Sequence, residues 1–141
     1  MIRVSRLADY AVLIIAYMSY NEGNKFTASS ITKSTGLTLH TVNKILSLLV
    51  KKKIIKGERG PKGGYMLLQN SNNISMRDLV EAIDGPVALT ICVDDNDSKC
   101  NLYENCLTRD NWEIVNNVIS DSLSKVKISQ MRKPGIFINE N

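Results

Sequence analysis

Apolar residues recur every three or four positions in several stretches of the chain, each preceded by a residue suited to starting a helix. Ser5 can cap a first helix running to about Tyr20. Its apolar positions Leu7, Ala11, Leu13, Ile14, Ile15 and Met18 cover more than half its circumference, which predicts burial on several sides. The stretch NEGNK at 21–25 reads as a loop, after which Thr27 can cap a short helix through Ile31 to about Thr35. Gly36 and Leu37 interrupt the pattern, and Thr38 can cap a third helix with Val42, Ile45, Leu46 and Leu49 on one face. Two short strands are then predicted, Ile54-Ile55-Lys56-Gly57-Glu58 and Tyr65-Met66-Leu67-Leu68, joined by the glycine-rich tip RGPKGG. Ser75 opens another short helix, MRDLVEAI, which Asp84-Gly85-Pro86 ends: glycine permits a left-handed cap and proline cannot continue the helix. From about Thr108, Trp112, Val115, Ile119, Leu123 and Val126 form one stripe with Ile114 and Val118 beside it, the pattern of a long dimerisation helix.

These elements predict a mainly α chain with one small β-hairpin. Residues 1–90 read as a winged helix-turn-helix DNA-binding domain, 91–107 as a cysteine-rich cluster-binding loop and 108–127 as the dimerisation helix. Residues 128–141, which include Pro134 and Gly135, are expected to be a disordered tail. At 141 residues and 43% hydrophobic, the chain can build one compact domain, whereas two would be cramped. The run AVLIIAYM after Arg3 and Arg6 imitates a signal peptide. Asp9 at its entrance, the lack of a small-residue cleavage site and a length far short of the ~20 apolar residues of a span argue otherwise. A cytoplasmic protein with no membrane partner is expected.

Charge adds direction. A net charge of +4 suits a polyanionic partner without demanding one. Its distribution says more: Lys51, Lys52, Lys53, Lys56, Arg59 and Lys62 against Glu58 give +5 within twelve residues. Such a run alone is usually a solvated face, but this one follows a helix-turn-helix, where a wing meets DNA. In the third helix, Thr38, His40, Thr41, Asn43 and Lys44 avoid the apolar stripe and are expected to face base edges and phosphates. Arg59 and Lys62 are expected to neutralise phosphates, with the surrounding glycines letting the backbone approach. His40, the only histidine, lies far in sequence from the cysteines and is assigned to DNA. Double-stranded DNA is the expected partner, bound by a homodimer at a palindromic operator.

All three cysteines, Cys92, Cys100 and Cys106, fall within the polar, acidic segment ICVDDNDSKCNLYENCLTRDNW. An odd number of thiols in a reducing compartment argues against a disulfide framework and for metal or redox chemistry. The spacing C-x7-C-x5-C fits neither a zinc ribbon nor a thioredoxin-type site. Asp94, Asp95, Asp97 and Glu104 against Lys99 are expected to raise the thiol pKa values, which disfavours a nucleophile. A bound metal inverts that logic, since its own charge deprotonates the thiols and tolerates the acids. Three thiolates leave one position of a four-ligand site to another residue, a small thiol or solvent, a ligation that iron-sulfur clusters accept. Sensing of nitric oxide, oxidant or a metal such as zinc remains open by the same cysteines. A redox enzyme or electron carrier is disfavoured: no histidine lies near the cysteines in sequence, and a carrier has no use for a basic wing.

Five stretches carry a family resemblance: MIRVSRLADYAVLIIAYM, FTASSITKSTGLTLHTVNKILSLLVKKKII, RGPKGGYML, ISMRDLVEAIDGPVALTICV and CLTRDNWEIVNNVI. Up to about Val126 the chain resembles the Rrf2 family of winged-helix regulators, and most of all the branch that controls SUF-type iron-sulfur-cluster assembly. The resemblance implies a homodimer, not an enzyme, with one [2Fe-2S] or [4Fe-4S] cluster per subunit controlling promoter binding, as a repressor of cluster-assembly genes. It implies Cys92, Cys100 and Cys106 as cluster ligands, residues 38–44 as recognition contacts and Arg59 as the wing contact. Some members place a histidine ligand three residues after the last cysteine, where this chain has Arg109, which cannot ligate. Others use an acidic residue in the first helix of the opposite subunit. Asp9 fills that place and is a candidate fourth ligand; its plain alternative is a first-turn aspartate stabilised by the helix dipole.

Overall fold

The structure is a computed structural model, and it describes residues 2–94 and 100–133. Three helices lead: α1 (Arg6–Met18), α2 (Ala28–Thr35) and α3 (Leu39–Lys51). Strands β1 (Ile55–Glu58) and β2 (Gly64–Leu67) follow, then α4 (Met76–Asp84). After two 3-10 turns at Ile91–Val93 and Tyr103–Asn105 come α5 (Arg109–Lys125) and α6 (Ile128–Met131).

The first four helices begin where their capping residues predict. Ser5 Oγ accepts from Ala8 N at 3.0 Å, Thr27 Oγ1 from Ser30 N at 3.0 Å and Thr38 Oγ1 from Thr41 N at 3.3 Å. At α4 the cap is reciprocal: Ser75 Oγ accepts from Asp78 N, and Asp78 Oδ2 accepts from Ser75 N at 2.8 Å. Gly36, at φ 75° and ψ 4°, ends α2 in the left-handed conformation and sets the turn into α3. Gly85 differs from expectation. Its φ of 91° is paired with ψ −173°, so α4 stops by swinging into an extended path open to glycine alone and not by a left-handed cap.

α1 lies at the centre. Ala8, Ala11, Ile14, Ile15 and Met18 are fully buried, and the helix packs on α2, α3, α4 and α6. Ile31 of α2, Val42, Ile45, Leu46 and Leu49 of α3, and Leu79 of α4 complete the core around it. The hairpin pairs Ile55 with Leu67 and Glu58 with Gly64. Phe26, just before α2, bridges to Tyr65 through two backbone hydrogen bonds of 2.8 Å, tying the wing to the helix-turn-helix. No helix among the described residues is long and apolar enough to cross a membrane.

The expected disordered tail is corrected over residues 128–133. Met76 N donates to Val126 O and Ile128 N to Ile74 O, both at 2.9 Å, so the chain after α5 is laced to the start of α4. Ile128 is fully buried in the core, Arg132 Nη1 donates to Ser19 O at 3.0 Å and Tyr20 Oη donates to Lys133 O at 3.1 Å. One apolar side chain, backbone pairing and the hydrogen bonds of Arg132 and Tyr20 hold this segment, and none of them produces a periodic pattern. The remainder of the expected tail, 134–141, lies outside the described residues. Replacing Ile128 by Ala is expected to cost about 2–5 kcal/mol of unfolding free energy. Urea denaturation checks it, and a wild-type midpoint would show that α6 contributes no packing.

Candidate nucleic-acid interface and cysteine segment

α3 separates its faces cleanly. Val42, Ile45, Leu46 and Leu49 are fully buried, whereas Thr38, His40, Asn43 and Lys44 are exposed and Thr41 is half-buried. The Thr38 hydroxyl is committed inward, donating to Thr41 Oγ1 at 2.9 Å while accepting from Thr41 N. The outward hydrogen-bonding capacity at the start of α3 therefore rests with Thr41, His40, Asn43 and Lys44.

A cleft of about 590 Å³ separates α3 from the wing, bounded by Ser47, Val50, Arg59, Gly60 and Tyr65. Arg59 and Lys62 are exposed at the tip. Gly63 has an internal reason to be glycine, since a Cβ there would sit 2.3 Å from Glu58 O. The close approach that glycine permits here is between two parts of the wing itself. Behind the tip, Glu58 accepts hydrogen bonds from both Lys25 and Lys56, the latter pair 3.0 Å apart. The Lys25 hydrogen bond, then that of Lys56, then the charges of both hold the Glu58 carboxyl below its ordinary value. Lys25 was hidden from the charge tally because it stands far from the wing in sequence. Its pairing partner gives no local signal.

The Ile91–Val93 turn of the cysteine segment packs on α5. Cys92 lies in the first 3-10 turn, its Sγ 3.1 Å from Thr90 Oγ1, and it lines a polar cleft of about 380 Å³ with Arg77, Tyr103, Arg109, Glu113 and Asn116. Cys100 precedes the second turn, its carbonyl accepting from Tyr103 N at 3.0 Å. Cys106 follows that turn, with Sγ 3.6 Å from Thr108 Oγ1. All three thiols are unbridged and half-buried. The expectation that acids raise the thiol pKa values fails at Cys106. The Thr108 hydroxyl, then the Thr108 and Arg109 amides and the Arg109 charge, hold it below the ordinary thiol range despite opposing desolvation. Directed donors at close range outweigh acids that share only the sequence neighbourhood. Asp95, Asp97 and Lys99 from that tally lie outside the described residues.

Arg109 begins α5, and its guanidinium lies over the Tyr103 ring at 4.4 Å from the centroid, pinning the second turn to the helix. Asp9 is exposed in the first turn of α1 and His40 is exposed on α3. Among the described residues no group of three or more histidine, cysteine, aspartate or glutamate side chains stands together as a metal site, so the three thiols are not gathered. The donor chemistry nevertheless fits an iron-sulfur group: of three unbridged thiols Cys92 sits in a short turn and Cys100 and Cys106 flank another, all outside the long helices and the hairpin.

The family comparison settles the class. The Rrf2 family, described as iron-dependent transcriptional regulator, matches residues 4–134. The chain belongs to the Rrf2 family. It is similar to the HTH-type transcriptional regulator IscR of Pectobacterium atrosepticum, 27% identical over 126 residues that cover 89% of this chain and 74% of the relative. IscR of Vibrio campbellii is 28% identical over 128 residues, 91% of this chain and 74% of the relative. In fold it is similar to CymR of B. subtilis, titled the global cysteine regulator, with a TM-score of 0.71 at 20% identity over 93% of this chain and 96% of that one. T. potens IscR gives a TM-score of 0.68 at 21% identity, over 92% and 85% of the two chains. This Rrf2 protein is thus a winged-helix transcriptional regulator that binds DNA.

In this Rrf2 regulator Glu58 restrains two cations beside the wing tip. Glu58→Gln releases Lys25 and Lys56, and the expected outcome is tighter binding to non-specific duplex with a steeper salt dependence. The slope of log affinity against log salt rises by about 0.9 for each phosphate gained. Acid acts the same way on the pair. A depressed carboxylate pKa keeps the ion pairs above the ordinary value of 4.5 and loses them as pH falls through the lower folded value. Fluorescence anisotropy titrations over a salt series check the first effect, and Glu58 carboxyl chemical shifts check the second.

Proposed function

We propose that this Rrf2 regulator reads iron-sulfur status through Cys92, Cys100 and Cys106 and uses it to control operator binding, as a repressor of SUF-type cluster-assembly genes. The observation that carries the reading is the set of three unbridged, half-buried thiols, one in and two beside short turns, between the DNA-binding module and α5. When bound, a [2Fe-2S] or [4Fe-4S] cluster supplies oxidant-sensitive iron–thiolate bonding, which makes its occupancy a signal. The protein supplies the three thiolates. Asp9 from the first helix of the opposite subunit is the proposed fourth ligand, since Arg109 occupies the position used by a histidine elsewhere.

DNA is met by His40, Thr41, Asn43 and Lys44 in the major groove, with Thr38 holding the start of α3, and by Arg59 and Lys62 from the wing. The homodimer forms through the outer side of α5. Trp112, Ile114, Val115 and Val118 are 41%, 63%, 44% and 58% exposed there, a contiguous apolar surface for one chain to leave in water. A two-fold axis along such a helix presents two recognition helices to half-sites about 34 Å apart, which a palindromic operator matches.

A second reading is favoured by the surroundings of Cys106, whose Sγ lies 3.6 Å from the Thr108 hydroxyl and close to the start of α5 at Arg109, an arrangement that favours the thiolate and suits direct reaction with an oxidant. Visible absorption with iron and sulfide analysis of protein purified without oxygen separates the two, because only the first carries a cluster chromophore.

Anaerobic reconstitution followed by promoter footprinting tests the main reading. Cys106→Ala is expected to lose the cluster spectrum and with it the difference in DNA affinity between loaded and empty protein. Equal footprints from loaded wild type and the variant would sink cluster control. For the dimer, Val118→Glu places a charge in the outer face of α5 and is expected to yield monomers by sedimentation with the wild-type helical content. A persistent dimer would move the interface elsewhere.

A further inference from the structure

One polar side chain of α5 is hydrogen-bonded to the loop just ahead of the cysteine segment. Asn116 turns toward the loop after α4, where its Nδ2 donates to Val87 O at 2.9 Å and its Oδ1 accepts from Leu89 N at 3.0 Å. Those two backbone groups flank Ala88 and are the pair that a strand offers to a neighbouring strand. The amide of one side chain thus takes the place of an absent strand. Residues 85–90 belong to no helix or strand, so the loop has no ladder of its own to set its distance from α5. Cys92 follows Leu89 by three residues and opens onto the same cleft as Asn116. Val115, the next residue back on α5, belongs to the exposed apolar side of that helix.

We infer that Asn116 is the positioning residue through which the state of the cysteine segment reaches α5, and thereby the spacing of the recognition helices. The inference rests on the function proposed above and deepens it. A displacement of Cys92 is carried back along three residues to Leu89 and passed to α5 by two hydrogen bonds that leave no slack. Asn116→Ala removes both bonds. α5 keeps its packing on α4 and on the Ile91–Val93 turn, and the attraction between Arg77 and Asp121, so the helix stays docked while the hydrogen-bonded link to Leu89 is cut.

The test uses full-length wild type, Asn116→Ala and Asn116→Asp. In metal-free protein, Asn116→Ala is expected to speed hydrogen exchange at the Leu89 amide and alkylation of Cys92 by iodoacetamide relative to Cys100 and Cys106, with sedimentation unchanged. In anaerobically reconstituted protein the cluster spectrum is expected to persist. The ratio of duplex affinities between loaded and empty forms should collapse from the roughly 5–150-fold range of allosteric effects to under about threefold. Asn116→Asp still accepts from Leu89 N but cannot donate to Val87 O, so its ratio falls between, and it carries the test alone if the alanine variant fails to fold. A wild-type ratio in Asn116→Ala, or in the aspartate variant where that stands alone, overturns the inference. So does unchanged Leu89 exchange. A wild type that takes up no cluster, or binds duplex equally loaded and empty, overturns the proposed function and removes the inference with it.

Discussion

The burial of α1 is the constraint on which the rest of the structure depends. Ala8, Ala11, Ile14, Ile15 and Met18 leave no accessible surface, which is possible only when neighbours close over the helix from several directions. α2 and α3 cover one part and α4 and α6 the others. The alanines matter as much as the larger residues, because a small side chain lets a neighbouring helix approach along its backbone. α3 is therefore oriented by the same helix that seats α4. The exposed residues of the recognition face inherit their direction from apolar residues that no DNA touches. Ser5 adds a polar link of the same kind: besides capping α1, its hydroxyl donates to Asp84 Oδ1 at 2.8 Å, at the last residue of α4.

The wing is held by different means. A two-stranded hairpin is marginal alone in water, and here Phe26 extends it by a bridge to Tyr65 while its ring lies edge-on to Tyr17 of α1, 5.3 Å between centroids. The wing thereby gains a fixed angle to α3, which its four-residue strands do not confer. Its charge is likewise less uniform than the basic run implies. Lys56 and the distant Lys25 share Glu58 at the end of β1, next to the turn, while Arg59 and Lys62 stand exposed within the turn itself. Positive charge is concentrated where the wing reaches furthest.

What was legible in the sequence was what depends on few neighbours in the chain. Ser5, Thr27, Thr38 and Ser75 each satisfy an amide three residues on, so residue type and spacing suffice to place those helix starts. The apolar face of α3 follows from periodicity for the same reason, as does most of that of α1, where Leu13 alone of the predicted apolar positions is exposed. α6 was illegible because four residues carry no period, and its place depends on Ile128 finding a core assembled by α1 and α4. The role of Asn116 was hidden likewise, since an asparagine on a helix reads as a solvated position until its partners, 27 and 29 residues earlier, are in place. At Cys106 the sequence supplied charges but not directions, and direction decided the sign.

The ungathered thiols bear on how a signal could work at all. A ligand shifts an equilibrium only by its differential affinity for two conformations. Were Cys92, Cys100 and Cys106 already drawn together, occupancy would alter their charge and little else. On the proposed reading, loading must close the segment, and the segment is anchored to one helix at both ends. Asn116 holds the loop ahead of Cys92, while Arg109, stacked on Tyr103, begins α5 three residues after Cys106. Drawing the sulfurs together therefore strains two points of α5 that lie seven residues, about two helical turns, apart. Between them on the same helix are Trp112, Ile114 and Val115 of the outer apolar surface. A force applied at two points of a stiff rod tilts it, and in the proposed homodimer a tilt of α5 at the two-fold axis is doubled in the angle between subunits. On the proposed function, a short closure at the thiols is in this way passed to the half-site spacing without rearranging the core around α1.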